Sequence, residues 1–217
     1  MKTGAVITAA GESRRMGGVD KVFAPLCGQP VLERVIETFQ KCARIDQIVV
    51  VLSERNLERG KELKVSDVCV GGSRRQDSVL AGLKRLDPCD WVVIHDGARP
   101  LVTEELIERG LDAAMETGAA VAAVPVTDTI KIAGEGEFVQ QTLPRRHLRA
   151  VQTPQVFSLD ILKKAYRQAT GEFTDDSSLV EQLGYRVRLY MGSCDNIKIT
   201  TPDDLFIAEM LLRKRLC

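Results

Sequence analysis

Apolar and polar positions alternate between two periods along this chain, and that alternation predicts the order of its elements. Gly4-Ala5-Val6-Ile7-Thr8 is a short apolar run that reads as a buried strand. Val31 to Cys42 instead sets Val31, Leu32, Val35, Ile36 and Phe39 on one helical stripe. Ile48-Val49-Val50-Val51-Leu52 returns to a buried strand, and Val68-Cys69-Val70 is a shorter one. A helix from near Gln76 carries Val79, Leu80 and Leu83 on one face, and Trp91-Val92-Val93-Ile94 is the next strand. Thr103-Glu104-Glu105 opens a helix, a hydroxyl cap with acids in the first turn, which ends near Gly118. Ala119 to Val126 is apolar throughout. Continuous apolar strands separated by helices predict an α/β architecture, a mostly parallel sheet covered on both faces. Ligands in such sheets bind at the carboxyl ends of the strands.

The pattern changes after Asp128. Thr129-Ile130-Lys131-Ile132 and Phe138-Val139-Gln140-Gln141-Thr142 flank Gly134-Glu135-Gly136, the pattern of a hairpin. It holds too few large apolar residues to own a core, so it reads as an arm, residues 127–149, projecting from a single domain that spans 1–217. Val151 to Phe157 leads to a helix capped by Ser158; Arg186 to Tyr190 is a late strand. Thr201-Pro202-Asp203-Asp204 starts the final helix, a cap followed by proline at the first position.

Candidate chemistry collects at these predicted strand ends. Ala9-Ala10-Gly11 follows the first strand and gives way to Arg14, Arg15 and Lys21. Small residues let the backbone approach a ligand and aim N–H groups at anionic oxygens, and the cations add mobile charge, a combination suited to a nucleoside triphosphate. The spacing fits neither a Walker loop nor a dinucleotide fingerprint. Gly71-Gly72-Ser73 through Ser78 reads either as a donor-rich cradle for a base or phosphate, or as a strand-to-helix turn capped by Asp77 or Ser78. In His95-Asp96-Gly97-Ala98-Arg99-Pro100 the acid can hold a metal or a hydroxyl and Arg99 can clamp a phosphate, or the two can brace a loop as an ion pair. Asp195-Asn196-Ile197-Lys198 precedes the last helix, and Arg145-Arg146 adds charge at the end of the arm. No nucleophile elbow or serine–histidine pairing stands out, which suits phosphoryl or nucleotidyl transfer, where positioning and charge stabilisation do most of the chemistry.

Composition narrows the partners. In 217 residues, 30 Lys plus Arg balance 30 Asp plus Glu, so no global basic field invites nucleic acid. Basicity is local instead, in the doublets Arg14-Arg15, Arg74-Arg75 and Arg145-Arg146, as a small anionic ligand requires. No run approaches the ~20 apolar residues of a membrane span, and the N-terminus does not read as a signal peptide. Six scattered cysteines and two histidines make a zinc site unexpected and point to a reduced, cytoplasmic protein.

With these residues assembled, the chain resembles the 2-C-methyl-D-erythritol 4-phosphate cytidylyltransferase family of the non-mevalonate isoprenoid pathway, nearly end to end. The resemblance is carried by Ala9-Ala10-Gly11 with Arg15 and Lys21, Gly71-Gly72 through Ser78 to Leu83, and His95 to Pro100. It continues in Asp128-Thr129, Thr153-Pro154-Gln155, Thr174-Asp175 and Asp195 to Lys198. It implies joining the substrate's phosphate to the CMP unit of CTP with release of pyrophosphate, assisted by Mg²⁺ whose protein ligands it leaves unassigned. Arg15 and Lys21 would stabilise charge on the α-phosphate. Arg145 and Lys198 would position the methylerythritol phosphate, accompanied by Arg99, Thr129, Thr153 and Thr174. Ala9, Ala10, Gly11, Gly72, Ser73, Ser78 and Asp96 would bind the nucleotide. The implied fold is a Rossmann-like sheet flanked by helices, with the arm interlocking two subunits into a dimer of shared active sites.

Four positions depart from the family pattern. Asp20 stands where proline is usual, which is expected to loosen the turn before Lys21. Ser73 replaces a frequent acid, leaving base recognition more to backbone groups; Gly97 replaces alanine, and Arg149 tryptophan. The nearest alternative is ribitol-5-phosphate cytidylyltransferase, which tends to open with Ala-Gly-Gly rather than Ala9-Ala10-Gly11. From a different class, a non-catalytic nucleotide-binding regulator could keep the loop yet lose Lys21 or Lys198, and both are present.

Overall fold

A computed structural model describes residues 1–11, 20–168 and 170–216. In chain order the elements are β1 (Thr3–Ala9), β2 (Pro25–Leu26), β3 (Gln29–Pro30), α1 (Val31–Lys41), β4 (Gln47–Leu52), α2 (Leu57–Gly60), β5 (Asp67–Val70), α3 (Arg75–Leu83) and β6 (Trp91–Asp96). They continue with α4 (Glu104–Thr117), β7 (Ala119–Pro125), β8 (Lys131–Ala133), β9 (Val139–Thr142), β10 (Arg149–Ser158), α5 (Leu159–Gln168), α6 (Asp176–Gln182), β11 (Arg188–Met191) and α7 (Pro202–Leu216). A seven-stranded sheet runs in the order β11-β7-β10-β6-β1-β4-β5.

The strands are apolar at consecutive positions because alternate side chains feed two different cores. Ala5 and Ile7 of β1 join Leu32, Val35 and Phe39 of α1 and Leu106, Ile107 and Leu111 of α4 on one face. Val6, between them, joins Val79 and Leu83 of α3, Leu162 of α5 and Leu179 of α6 on the other. All six residues of β4 are buried for the same reason. Helix limits follow their punctuation. The Thr103 hydroxyl accepts from Leu106 N at the start of α4, and Gly118 at φ 84° ends it. α7 begins at Pro202, as the sequence predicts, and the Asp204 carboxylate accepts the N–H groups of Thr200 and Thr201 at 2.8 Å each.

One strand runs against the expected direction. β1, β4, β5 and β6 are parallel neighbours, and so are β7 and β11, but β10 is antiparallel to both β6 and β7. The connection explains it. Pro125 at the end of β7 faces Arg149 at the start of β10, so the chain leaves and re-enters at one edge of the sheet with no crossover helix. The arm is that connection. Its strands β8 and β9 form a separate two-stranded ladder, pair with no strand of the main sheet, and are exposed at every residue. The short β2–β3 ladder and α2 are too brief to leave a periodic signature, and the sequence pattern does not show them.

Packing of α4 on the sheet depends on the absence of a side chain at Gly110. A Cβ there would lie 2.6 Å from the Tyr190 hydroxyl and 2.9 Å from Val156 Cγ2. Tyr190 cannot easily yield, since it is buried and its hydroxyl donates to Pro154 O at 2.9 Å. Alanine would gain at most about 1 kcal/mol of helix propensity, whereas overpacking costs about 1–3 kcal/mol. Gly110→Ala is therefore expected to lower stability in urea unfolding; a stabilised variant would show that α4 is not seated this tightly.

Candidate functional site

A cavity of about 800 Å³ opens at the carboxyl ends of β1, β4, β5 and β6. The strand order reverses between β1 and β6, and that switch point is where a doubly wound sheet leaves room for a ligand. Its floor is backbone from two loops, Ala9-Ala10-Gly11 after β1 and Gly71-Gly72-Ser73 after β5. Gly71 and Gly72 can lie this close only because they lack side chains. A Cβ on Gly71 would sit 2.5 Å from Ala10 Cβ, and one on Gly72 would sit 2.3 Å from Asp77 Cβ. Asp77 then reaches back from the first turn of α3 to the Arg74 N–H at 3.3 Å and pairs the Arg74 guanidinium at 2.7 Å. Ser78, the other proposed cap, is buried with its hydroxyl 3.3 Å from Arg74 O and 3.4 Å from Gly72 O.

Asp96, the last residue of β6, is the electrostatic centre of the site. Its carboxylate lies 2.8 Å from Lys198 Nζ and 3.6 Å from both Arg75 Nε and Arg99 Nε. Burial pushes this carboxyl up, but Lys198, then Arg75 and Arg99, outweigh burial and hold it well below the usual carboxylate range. Arg75 continues inward to Asp176 at 2.7 Å, whose other oxygen accepts the Tyr166 hydroxyl at 2.5 Å. Arg99 donates to Asn196 O at 2.7 Å, and fully buried Asn196 donates to Thr153 O at 2.8 Å. The loop that carries Lys198 is thus held from below, with Ile199 N donating to Ala98 O at 2.8 Å.

Beneath Asp96 the hydrogen bonds fix a histidine tautomer. His95 Nε2 is 3.3 Å from Arg99 O, which can only accept, so the ring proton sits there. Nδ1 then accepts the Thr153 hydroxyl at 3.0 Å, and the Thr153 oxygen accepts the Asp96 N–H at 3.0 Å. Burial depresses the imidazole pKa to about 4, against the opposing pull of Asp96 and the Arg99 carbonyl.

The structure brings together most, but not all, of the residues singled out from sequence. Ala9, Ala10, Gly11, Lys21, Gly72, Ser73, Ser78, Asp96 and Lys198 all line the cavity. Thr153 and Arg99 do not, and instead support Asp96 and Lys198 from behind. Thr129 and Thr174 are exposed outside it. Arg145 is exposed on the arm, donating to Thr127 O at 2.5 Å. Arg15 lies outside the described residues. Arg75 was noticed only as half of a doublet, yet it lines the cavity and joins Asp96 to Asp176. The cap of α3 is Arg74 rather than Asp77 or Ser78, which makes Arg75 the first residue of the helix. Asp20 does not loosen its turn: its carboxylate accepts Val22 N at 3.3 Å and binds Arg55 and Asn56. At Gly97 a Cβ would lie 3.1 Å from both Ala9 Cβ and Leu32 Cδ1, so an alanine would fit only with a small shift of these neighbours. Among the described residues no cluster of three His, Cys, Asp or Glu could hold a metal alone.

Comparison with known proteins gives one answer. The model of the 2-C-methyl-D-erythritol 4-phosphate cytidylyltransferase family matches residues 3–214. A protein of that name from Dehalococcoides mccartyi is 52% identical over 220 residues, covering 98% of this chain and 97% of its own. A crystal structure of 4-diphosphocytidyl-2C-methyl-D-erythritol synthase from Anaerococcus prevotii superposes with a TM-score of 0.87 at 30% identity, covering 98% of this chain and 96% of its own. One of 2-C-methyl-D-erythritol 4-phosphate cytidylyltransferase from Thermus thermophilus gives 0.81 at 36% identity, over 98% and 100%.

The depressed histidine makes the fold acid-sensitive in a defined window. His95 stays neutral in the folded state down to about 4, whereas the unfolded chain protonates it near 6.5. Between these values the unfolded state binds the extra proton, so stability is full above 6.5 and falls as pH drops towards 4, by on the order of 3 kcal/mol in total. Urea unfolding across this range should show the slope, and His95→Asn, which cannot protonate there, should flatten it. An unchanged slope in the variant would remove His95 as the source.

Proposed function

The chain belongs to the 2-C-methyl-D-erythritol 4-phosphate cytidylyltransferase family, and on that premise we propose how its cradle carries out the reaction. The enzyme transfers CMP from CTP to the phosphate of 2-C-methyl-D-erythritol 4-phosphate, giving 4-diphosphocytidyl-2-C-methyl-D-erythritol and pyrophosphate. A substrate phosphate oxygen attacks the α-phosphorus of CTP, a P–O bond forms, and the bond to the leaving pyrophosphate breaks in line. The observation that carries this reading is one cavity floored by two small-residue loops, with Lys21 and Lys198 on its wall. Loop N–H groups and cations meet the triphosphate, and the cavity needs no protein nucleophile.

Lys21, with Arg15, stabilises charge that builds on the α-phosphate during attack, and Lys198 orients the incoming phosphate. Asp96 keeps Lys198 in place through the 2.8 Å ion pair. A single carboxylate with phosphate oxygens is the donor set Mg²⁺ commonly takes. Asp96 lines the cavity and is held in its charged form, so it fits that role. When bound, the ion neutralises charge on the pyrophosphate. The cysteine spacing supports a cytoplasmic setting.

The functional unit in this reading is a homodimer. Phe138 and Val139, adjacent on the arm, are 78% and 63% exposed and offer an apolar surface to a partner. Arg145, on the same arm, would complete the neighbour's polyol phosphate site, which accounts for its absence from the cavity lining of its own subunit.

Two measurements test this. Pyrophosphate release from CTP, run in parallel with methylerythritol 4-phosphate and ribitol 5-phosphate, should be faster with the former. Faster turnover of ribitol 5-phosphate would move the enzyme to that substrate. Separately, mixing the inactive variants Arg145→Ala and Arg15→Ala should restore partial activity, because one site of each mixed dimer then holds both arginines. No recovery after verified subunit exchange would place Arg145 in cis.

A further inference from the structure

Lys21 is held by contacts that the catalytic reading does not use. Asp20 occupies the first position of a four-residue turn, and Phe23 N donates to Asp20 O at 3.1 Å. Its Oδ1 accepts Val22 N at 3.3 Å, the side-chain turn for which aspartate is favoured at this position. Lys21 is therefore the second residue of a turn closed twice, once by backbone and once by the carboxylate. The turn is seated behind as well: Val22 is buried, and its carbonyl accepts Leu32 N at 2.8 Å.

The other carboxylate oxygen faces a different loop. Asn56 Nδ2 donates to Asp20 Oδ2, and also to Ser53 Oγ at 3.0 Å. Asn56 is 5% exposed and the Asp20 side chain 13%, so this contact is shielded from water. Both amide protons of Asn56 are thereby used. Arg55, 56% exposed, adds a 3.1 Å ion pair to the same oxygen, but at that exposure it contributes little. Both loops line the cavity, Lys21 and Val22 from one and Ser53 and Glu54 from the other. One carboxylate joins them.

We propose that Asp20 and Asn56 form a clasp that positions Lys21 for the transfer step. They are positioning residues, acting through the turn rather than on substrate. The clasp does in this chain, by a side-chain bridge between loops, what a stiffer backbone at residue 20 would do by its own geometry. The proposal rests on the catalytic role assigned to Lys21 above, and its test keeps the two separable.

Steady-state kinetics with CTP and methylerythritol 4-phosphate provide the test. A displacement of about 1 Å in a reacting group costs on the order of 10²-fold in rate. Asp20→Ala and Asn56→Ala should each lower kcat by ~10–10²-fold, with the KM for CTP changed less than about threefold, since the turn sets geometry rather than affinity. In a Lys21→Ala background the same substitutions should cost no more than about twofold, because the group they position is gone. Asp20→Asn turns an amide towards the Asn56 amide and should be impaired, whereas the exchange Asp20→Asn with Asn56→Asp restores one donor and one acceptor and should recover most of kcat. Circular dichroism and thermal midpoints check folding; should Asp20→Ala not fold, Asn56→Ala and the exchanged pair carry the test. Wild-type kcat in Asp20→Ala and Asn56→Ala overturns the clasp while leaving Lys21 catalytic, and so does an undiminished loss in the Lys21→Ala background. Wild-type kcat in Lys21→Ala itself overturns both.

Discussion

A buried carboxylate surrounded by cations organises this molecule's working end. Placing Asp96 out of water would alone cost several kcal/mol, and the structure offsets that by aiming Lys198, Arg75 and Arg99 at it. Each cation comes from a different segment: the loop before α7, the first residue of α3, and the turn after β6. Neutralising one charge therefore draws three pieces of chain to the same point. Buried ion clusters can often be replaced by apolar side chains with little loss of stability, so what this one secures is geometry. It fixes where Lys198 stands relative to the loops that floor the cavity.

The reversed strand makes that arrangement possible. Because β10 runs antiparallel to β6, its early residues Gln152 and Thr153 arrive beside the end of β6, at the carboxyl edge. Its register with β7 shifts between Val151 and Gln155, and in that interval the side chains serve the site rather than a regular ladder. Thr153 bonds both Asp96 N and His95, while Gln152 exchanges hydrogen bonds with Ser193 in the loop leading to Lys198. The same reversal sends the arm out at this edge. One change of direction thus supplies the support under Asp96, the anchor for the Lys198 loop and the exit point of the hairpin.

Most elements long enough to show a period are legible in the sequence, although α6, seven residues capped by Asp175, is not read from it. The α1 stripe of Val31, Leu32, Val35, Ile36 and Phe39 is buried as its spacing predicts, and Thr103 and Gly118 bound α4. The arm is legible by its poverty in large apolar residues. The small-residue loops that line the cavity were legible as runs after strands, although Gly71-Gly72 read equally as a plain turn. Arg99 was legible as an ion-pair partner or a phosphate clamp, and local sequence could not choose. The structure shows the ion pair with Asp96 at 3.6 Å, and adds contacts to His95 and to Asn196, 97 residues away, that local sequence does not announce.

What the sequence by itself determined is therefore the α/β architecture, the limits of α1, α4 and α7, the arm and the small-residue loops, all set by periodicity and turn chemistry acting over a few residues. What only the tertiary structure decided is direction and charge pairing: that β10 runs backwards, that Arg75 spans Asp96 and Asp176, and that Asp20 meets Asn56. The physical reason is range. Hydrophobic period and capping are local and leave a mark in sequence, whereas burial makes a charge seek whichever opposite group the fold delivers. Asp20 and Asn56, 36 residues apart, carry no signal of each other until the sheet sets their loops side by side.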